Sequence, residues 1–166
     1  MGESVPVTAG QFRTCLKLWA SGVSIVTTRR HGGIRGITVS SFCSLSLDPP
    51  LILICIDRKS PSHDLIAQQE CFAVNLLRQD QERLSEMAAG RLGEGSAHLE
   101  DEGSHEEATG APVLDDCLAW LDCRLTGSHR EGDHTIYVGR VEAAGTRRGR
   151  PLLYFSGRYR AIAPSS

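Results

Sequence analysis

Three short stretches of this chain carry side chains able to do chemistry. In Gly36-Ile37-Thr38-Val39-Ser40-Ser41 hydroxyls recur at period two, so on a strand Thr38 and Ser40 point the same way and Ser41 opens the other face. Beside Gly36, which lets a ligand approach the backbone, they could donate to a phosphate, a sugar alcohol chain or a heteroaromatic carbonyl; a solvent-facing strand uses the same residue types. Asp57-Arg58-Lys59-Ser60 puts two cations and a hydroxyl just before a predicted helix. That makes either a local anion site, strengthened by the helix dipole and its free N–H groups, or a solvated turn. Gly132-Asp133-His134 delivers a histidine at the mouth of a predicted strand. An adjacent aspartate could orient or charge the imidazole as a proton donor or ligand contact, although turn histidines are also ordinary surface residues.

Composition narrows what these stretches could serve. The chain has 166 residues, 40% apolar and 23% charged, which predicts a single globular domain over 1–166 with its core at about 9–163. Eighteen Lys and Arg against 20 Asp and Glu leave a net charge of -2. That supplies no global field for nucleic acid or an acidic membrane, so any anion must be held locally. Neither a secretory h-region nor an apolar run long enough to span a bilayer is visible, and the expected location is cytoplasmic. Six irregularly spaced cysteines without a C-x-x-C pair read as reduced, mostly buried thiols, with no metal site. Dinucleotide, Walker, nucleophile-elbow and zincin motifs are absent, so a bound nucleotide would be held by other means.

The elements that must position these residues follow from capping and periodicity. Thr8 and Gln11 form a capping box ahead of Phe12, Leu16 and Trp19, predicting an amphipathic helix that stops at Gly22. Strands are predicted over 23–28, 34–47, 51–56, 71–77, 117–128, 135–144, 152–155 and 158–162, with His31-Gly32-Gly33 and Asp48-Pro49-Pro50 as breaks. Short helices are predicted from Ser60 to Ala67 and from Asp80, as N-cap, through Leu84, Met87 and Ala88. Residues 91–112, crowded with Glu, Asp, Gly and Ser, read as a solvated acidic loop or a lid. About six or seven of these strands, mostly joined by short turns and without alternating βαβ units, predict a closed antiparallel barrel.

Several blocks together resemble the flavin reductase family: Ser21-Gly22-Val23, Gly36-x-Thr38-x-Ser40-Ser41-Phe42, Ser44-Leu45-Ser46-Leu47-Asp48-Pro49-Pro50, Phe72-Ala73-Val74-Asn75-Leu76-Leu77, Gly132-Asp133-His134 and Pro151-Leu152-Leu153-Tyr154-Phe155. The resemblance implies an FMN-binding split barrel, a mainly β, six-stranded antiparallel Greek-key barrel with flanking helices that works as a homodimer. It implies hydride transfer from NADH or NADPH to FMN or FAD, with reduced flavin released to a partner monooxygenase. Carried over by position, Gly36, Thr38, Ser40, Ser41 and Cys55 would line the flavin, and Arg58, Lys59 and Ser60 would hold its phosphate. His134 would act as the catalytic contact on the nicotinamide side, and Tyr154, Phe155 and Tyr159 would cover the pyridine nucleotide. Where family members carry a Phe-Ala pair and later a basic-aromatic pair, this chain has Met87-Ala88, then Arg91 and the acid-rich loop; if Arg91 does not substitute for that pair, the adenylate end of FAD has little to hold it, which slightly favours FMN. The alternative function is the same fold repurposed as a biosynthetic enzyme or flavin-binding protein without NADH turnover.

Overall fold

The computed structural model describes residues 6–92 and 99–163. Helix α1 (Ala9–Leu16) begins at the expected capping box, in which Thr8 Oγ accepts from Gln11 N at 3.2 Å and the Gln11 side chain accepts from Thr8 N at 2.9 Å. The helix ends at Leu16, earlier than predicted, and buries none of its residues. There follow β1 (Ser21–Gly22), β2 (Ser24–Arg30), β3 (Gly33–Val39), β4 (Cys43–Leu47) and β5 (Pro50–Asp57). Next come α2 (Pro61–Gln69), β6 (Cys71–Leu76), α3 (Glu82–Ala88), a 3-10 turn (Leu99–Glu102), β7 (Ser104–Glu106) and β8 (Pro112–Leu114). The long hairpin β9 (Ala119–Glu131) and β10 (His134–Thr146) precedes β11 (Leu153–Phe155) and β12 (Arg158–Arg160).

The main sheet has seven strands in the order β3-β2-β6-β9-β10-β5-β4, every neighbouring pair antiparallel. Its two end strands, β3 and β4, are consecutive in the chain, so the corner at residues 40–42 brings the ends together and curls the sheet into a barrel. This corner is why the predicted strand 34–47 is two strands and the sheet has seven rather than six. Ser41 fastens it: its hydroxyl donates to Cys55 O at 2.9 Å and accepts from Cys55 N at 3.1 Å.

Period-two alternation divides the strand residues between two cores. Val26, Val39, Ile52, Ile54, Ile56, Phe72, Val74 and Tyr137 fill the barrel with Ile66 of α2. On the other side of β2 and β3, Ile25 and Ile34 pack against Leu84 and Ala88 of α3 and against Leu77, Leu99 and Leu114. The barrel is tight at Gly139, where an added Cβ would lie 2.6 Å from the Phe72 ring, so glycine is needed for the close approach.

Two expectations are corrected. Asp80 does not cap α3; its carboxylate is paired with Arg78 at 3.0 Å, and Gln81 takes the cap position with no side-chain bond to the helix amides, its Oε1 accepting instead from Arg78 N at 2.8 Å. The acidic segment is not simply a solvated loop. Residues 93–98 lie outside the described residues, but Leu99, Ala111, Val113 and Leu114 are buried, and β7 pairs with β8. Polar residues of the barrel hold this strap. Asn75 Oδ1 accepts from Leu114 N at 2.8 Å, Thr27 donates to Pro112 O, and buried Asp122 accepts from Thr109 N at 2.7 Å.

All six cysteines are free thiols. Burial pushes Cys117 up to about 11 and Cys123 up to about 12 from the ordinary 9.0. Because the folded values are raised, these groups favour the fold fully below pH 9 and less as pH climbs from 9 towards 12. With a thiol reagent at pH 8, exposed Cys15 and Cys43 are expected to react at once, and Cys117 and Cys123 only at the rate of global opening. Fast labelling of Cys123 in the folded protein would contradict this packing.

Candidate functional site

Because β3 alternates, Ile37 and Val39 turn into the barrel while Gly36, Thr38 and Ser40 face the other way. There a trough follows β3 from Arg35 to Ser40, about 17 Å at the usual strand rise. Its middle is a hollow of about 140 Å³ between Thr38 and Ser40 on one side and Ser85, Arg91, Tyr154 and Tyr159 on the other. Thr38, Ala89 and Arg91 also border a second hollow, which reaches Arg35 and Ser60 at the start of α2. At the opposite end Ser40 and Tyr154 are shared with a third hollow, bounded by Leu16, Trp19 and Ser41.

The walls are held by hydrogen bonds between elements far apart in sequence. Thr38 Oγ donates to Ser85 O at 2.6 Å, joining β3 to α3. Tyr159 OH donates to Glu86 Oε1 at 2.5 Å and lies 2.9 Å from Ser85 Oγ, joining β12 to the same helix. Burial, reinforced by Glu86, pushes the Tyr159 phenol up to about 12, so it stays protonated as donor and wall. The Tyr154 ring meets Tyr159 edge to face, 5.4 Å between centroids. Arg91 Nη1 donates to Glu86 Oε1 at 2.8 Å, and this bond raises the guanidinium pKa.

One end of the trough is cationic. Ser60 is the N-cap of α2, its Oγ accepting from Ser62 N at 3.2 Å, while His63 N donates to Ser60 O at 3.0 Å. With Pro61 lacking an N–H, the first-turn amides are largely occupied by the cap itself, so the expected contribution of free N–H groups is small. The positive end is built instead by Arg35 and Arg91, which line this hollow together with Ser60, Arg35 Nε donating to Ser62 Oγ at 3.4 Å. Arg58 and Lys59 are exposed on the turn beside it and do not line the hollow.

The structure therefore brings together Thr38, Ser40, Ser60, Tyr154 and Tyr159 along one trough. Gly36 borders it too, but its missing side chain also serves packing: a Cβ there would lie 2.1 Å from Leu99 Cδ1, so the residue seats the strap against β3. Ser41 touches the far end, with its only proton given to Cys55 O. Cys55 faces away from the barrel interior, its thiol pushed up by burial and by Cys43, and Phe155 is exposed; neither lines the trough. His134, with Nδ1 2.7 Å from Asp133 Oδ1, stands at the start of β10 opposite Asp57, and Arg58 N donates to Asp133 O at 3.0 Å. It neighbours the Asp57–Ser60 turn without lining the three hollows. Ser85 and Glu86 had no sequence signal, since a Ser-Glu pair on a short helix reads as solvated.

An antiparallel barrel with a trough that is cationic at one end, hydroxyl-lined in the middle and aromatic on its outer wall offers the chemistry that complements a flat heteroaromatic ligand carrying an anionic tail. Residues 16–163 match the flavin reductase like domain, and the chain belongs to that family. It is 36% identical over 165 residues to an NADH-dependent flavin reductase of Rhodococcus sp, covering 97% of this chain and 91% of that one. It is 31% identical over 162 residues to the NADH-dependent flavin reductase StyB of Pseudomonas fluorescens, covering 94% and 91%. Among solved structures, flavin reductase PheA2 in its native state superposes with a TM-score of 0.87 at 36% identity, covering 95% of this chain and all of that one. The NADH:FAD oxidoreductase SgcE6 of Streptomyces globisporus C-1027, in complex with NAD and FAD fragments, does so with 0.86 at 31% identity, covering 95% and 94%.

Proposed function

We propose that this protein is a flavin reductase that transfers hydride from NADH or NADPH to FMN or FAD and supplies reduced flavin to a partner monooxygenase. The observation that carries it is the trough along β3, with its cationic end at Ser60, Arg35 and Arg91 and its paired tyrosines at the other side. The flavin and the nicotinamide carry the redox chemistry when bound; the chain's task is to hold them face to face. Ser40 would donate along the flavin and its polyol chain, Thr38, its proton given to Ser85 O, would accept from that chain, and Ser60 with Arg35, Arg91 and nearby Arg58 and Lys59 would hold the phosphate. Tyr154 and Tyr159 would form the wall against which the pyridine nucleotide lies. His134, paired with Asp133 and outside these hollows, is given the nicotinamide side on the family resemblance alone.

A homodimer fits the surface of the protomer. Helix α1, the turn after it and strand β4 leave Phe12, Leu16, Trp19, Leu45 and Leu47 exposed, Leu47 at 91%, more apolar surface than an isolated edge strand and helix keep in water. Leu16 and Trp19 also border the trough, so a second copy laid on α1 would close it. The cytoplasmic location proposed from sequence is supported by six unpaired thiols. No helix among the described residues is long and apolar enough to cross a membrane.

The test is the initial rate of NADH oxidation at 340 nm with no flavin, with FMN and with FAD, on a preparation whose mass is measured by sedimentation. Flavin-dependent, saturable oxidation by a species of about twice 18.0 kDa is expected. His134→Ala is expected to lower kcat about tenfold or more, the scale of a lost acid or contact group. No rate above the flavin-free control would overturn the reductase assignment, and an unchanged kcat would remove His134 from it.

A further inference from the structure

Two neighbours share a single oxygen at the wall of the trough. Glu86 Oε1 accepts from Tyr159 OH at 2.5 Å and from Arg91 Nη1 at 2.8 Å, and Arg91 N donates to Glu86 O at 3.0 Å. Glu86 is three-quarters buried at its side chain, with 23% exposure against 54% for Arg91. The carboxylate is therefore the fixed member of the pair and the guanidinium the member able to move. Arg91 also borders both the central hollow and the hollow that runs to Ser60 and Arg35. The same cation thus stands where the anionic tail of a ligand in the trough would arrive, already neutralised by a carboxylate.

We propose that Glu86 is a positioning residue that sets the preference for phosphorylated over unphosphorylated flavin by competing with the flavin phosphate for Arg91. This rests on the reductase assignment above. On binding FMN the guanidinium passes from the carboxylate to the phosphate, whose three oxygens and greater charge accept its fork-like donors better. Glu86 then keeps Tyr159 alone, so the aromatic wall holds its place while the cation moves. The cost of separating Arg91 from Glu86 is subtracted from the affinity for FMN and not from that for riboflavin, which has no phosphate to recruit the cation. A partly exposed pair of this kind is worth enough to change affinity about threefold to fivefold.

The experiment measures KM for FMN and for riboflavin, at saturating NADH, in the wild type and in Glu86→Gln, Arg91→Gln and the double variant. Glutamine keeps an oxygen to accept from Tyr159 but removes the charge that restrains Arg91. The readout is the ratio of KM for riboflavin to KM for FMN, in which general damage to the trough cancels. Glu86→Gln is expected to raise that ratio about threefold to fivefold, Arg91→Gln to lower it by at least as much, and the double variant to match Arg91→Gln, because without the cation Glu86 has nothing to withhold. An unchanged ratio in Glu86→Gln, or a ratio that moves the same way in both single variants, overturns the proposal. If Glu86→Gln does not fold, Arg91→Gln decides: a ratio equal to that of the wild type overturns it. A wild type that reduces neither flavin overturns instead the reductase assignment on which it stands.

Discussion

Replacing Asn75 by Ala is expected to cost about 3 to 5 kcal/mol of folding stability, the sum of buried hydrogen bonds broken and partners left unpaired. Asn75 is fully buried in β6 and uses both ends of its amide. Nδ2 donates to Ile25 O at 3.0 Å and to Thr27 Oγ at 2.9 Å, and Oδ1 accepts from Leu114 N at 2.8 Å. Alanine leaves all three partners without it, among them a buried backbone N–H with no route to water. Thr27 in turn donates to Pro112 O, so one substitution loosens both attachments of β8. Asn75→Asp separates hydrogen bonding from packing. It preserves shape but sets a carboxylate oxygen against Ile25 O where an N–H stood, and is expected to be no milder than alanine. For a domain of this size the loss lowers Tm by about 10 °C or more. Denaturant midpoints in the absence of flavin measure it, and an aspartate variant as stable as the wild type would refute the account.

The effect reaches the site through packing. Leu114 and Leu99 of the strap share a core with Ile25 of β2 and with Leu84 and Ala88 of α3, and α3 carries Ser85 and Glu86, which hold Thr38 and Tyr159. A strap that opens therefore frees the helix on which one wall of the trough is built. Flavin added to the Asn75 variants should recover part of the lost stability, since a ligand that binds only the folded state stabilises it in proportion to its concentration over Kd.

What was legible in the sequence was whatever chemistry is local. Period-two hydroxyls placed Thr38 and Ser40 on one face before any fold was known, and the Ser60-Pro61 pair announced a capped helix where one begins. The family blocks extended this to Tyr154 and Tyr159. Partnerships across long separations were not legible. Glu86 meets Tyr159 73 residues away and Asn75 meets Leu114 39 residues away, and neither leaves a periodic trace. Composition misled in the acidic segment for the same reason: its charges advertise solvent, while Leu99, Val113 and Leu114, too few to form a pattern, are what the core takes. Asp80 is a good N-cap type, but Arg78, two residues before it, holds its carboxylate. Gly36 was read as an opening for ligand, and its neighbour proved also to be Leu99.

Ser60→Asp is expected to leave the fold intact and to weaken FMN by about thirtyfold, the factor for roughly 2 kcal/mol of added like-charge repulsion. Ser60 has two duties that ordinary substitutions confuse. As N-cap it accepts from Ser62 N at 3.2 Å, and as a lining residue it sits in the hollow with Arg35 and Arg91. Alanine would remove both, and a loss of binding could then be blamed on a frayed α2. Aspartate caps a helix as well as serine does, and its charge is favoured at the dipole's positive end, so unfolding midpoints should stay within about 0.5 kcal/mol of the wild type or rise. The same charge meets an incoming phosphate in a hollow whose cations it partly neutralises. Riboflavin, lacking the phosphate, should lose far less, and the FMN deficit should shrink as salt is raised, because screening weakens repulsion at this exposed rim. Equal losses for FMN and riboflavin would mean that the phosphate does not lie at the start of α2. In that case the cationic end built by Arg35 and Arg91 would have to serve another anion, and the flavin would have to lie in the opposite sense along β3.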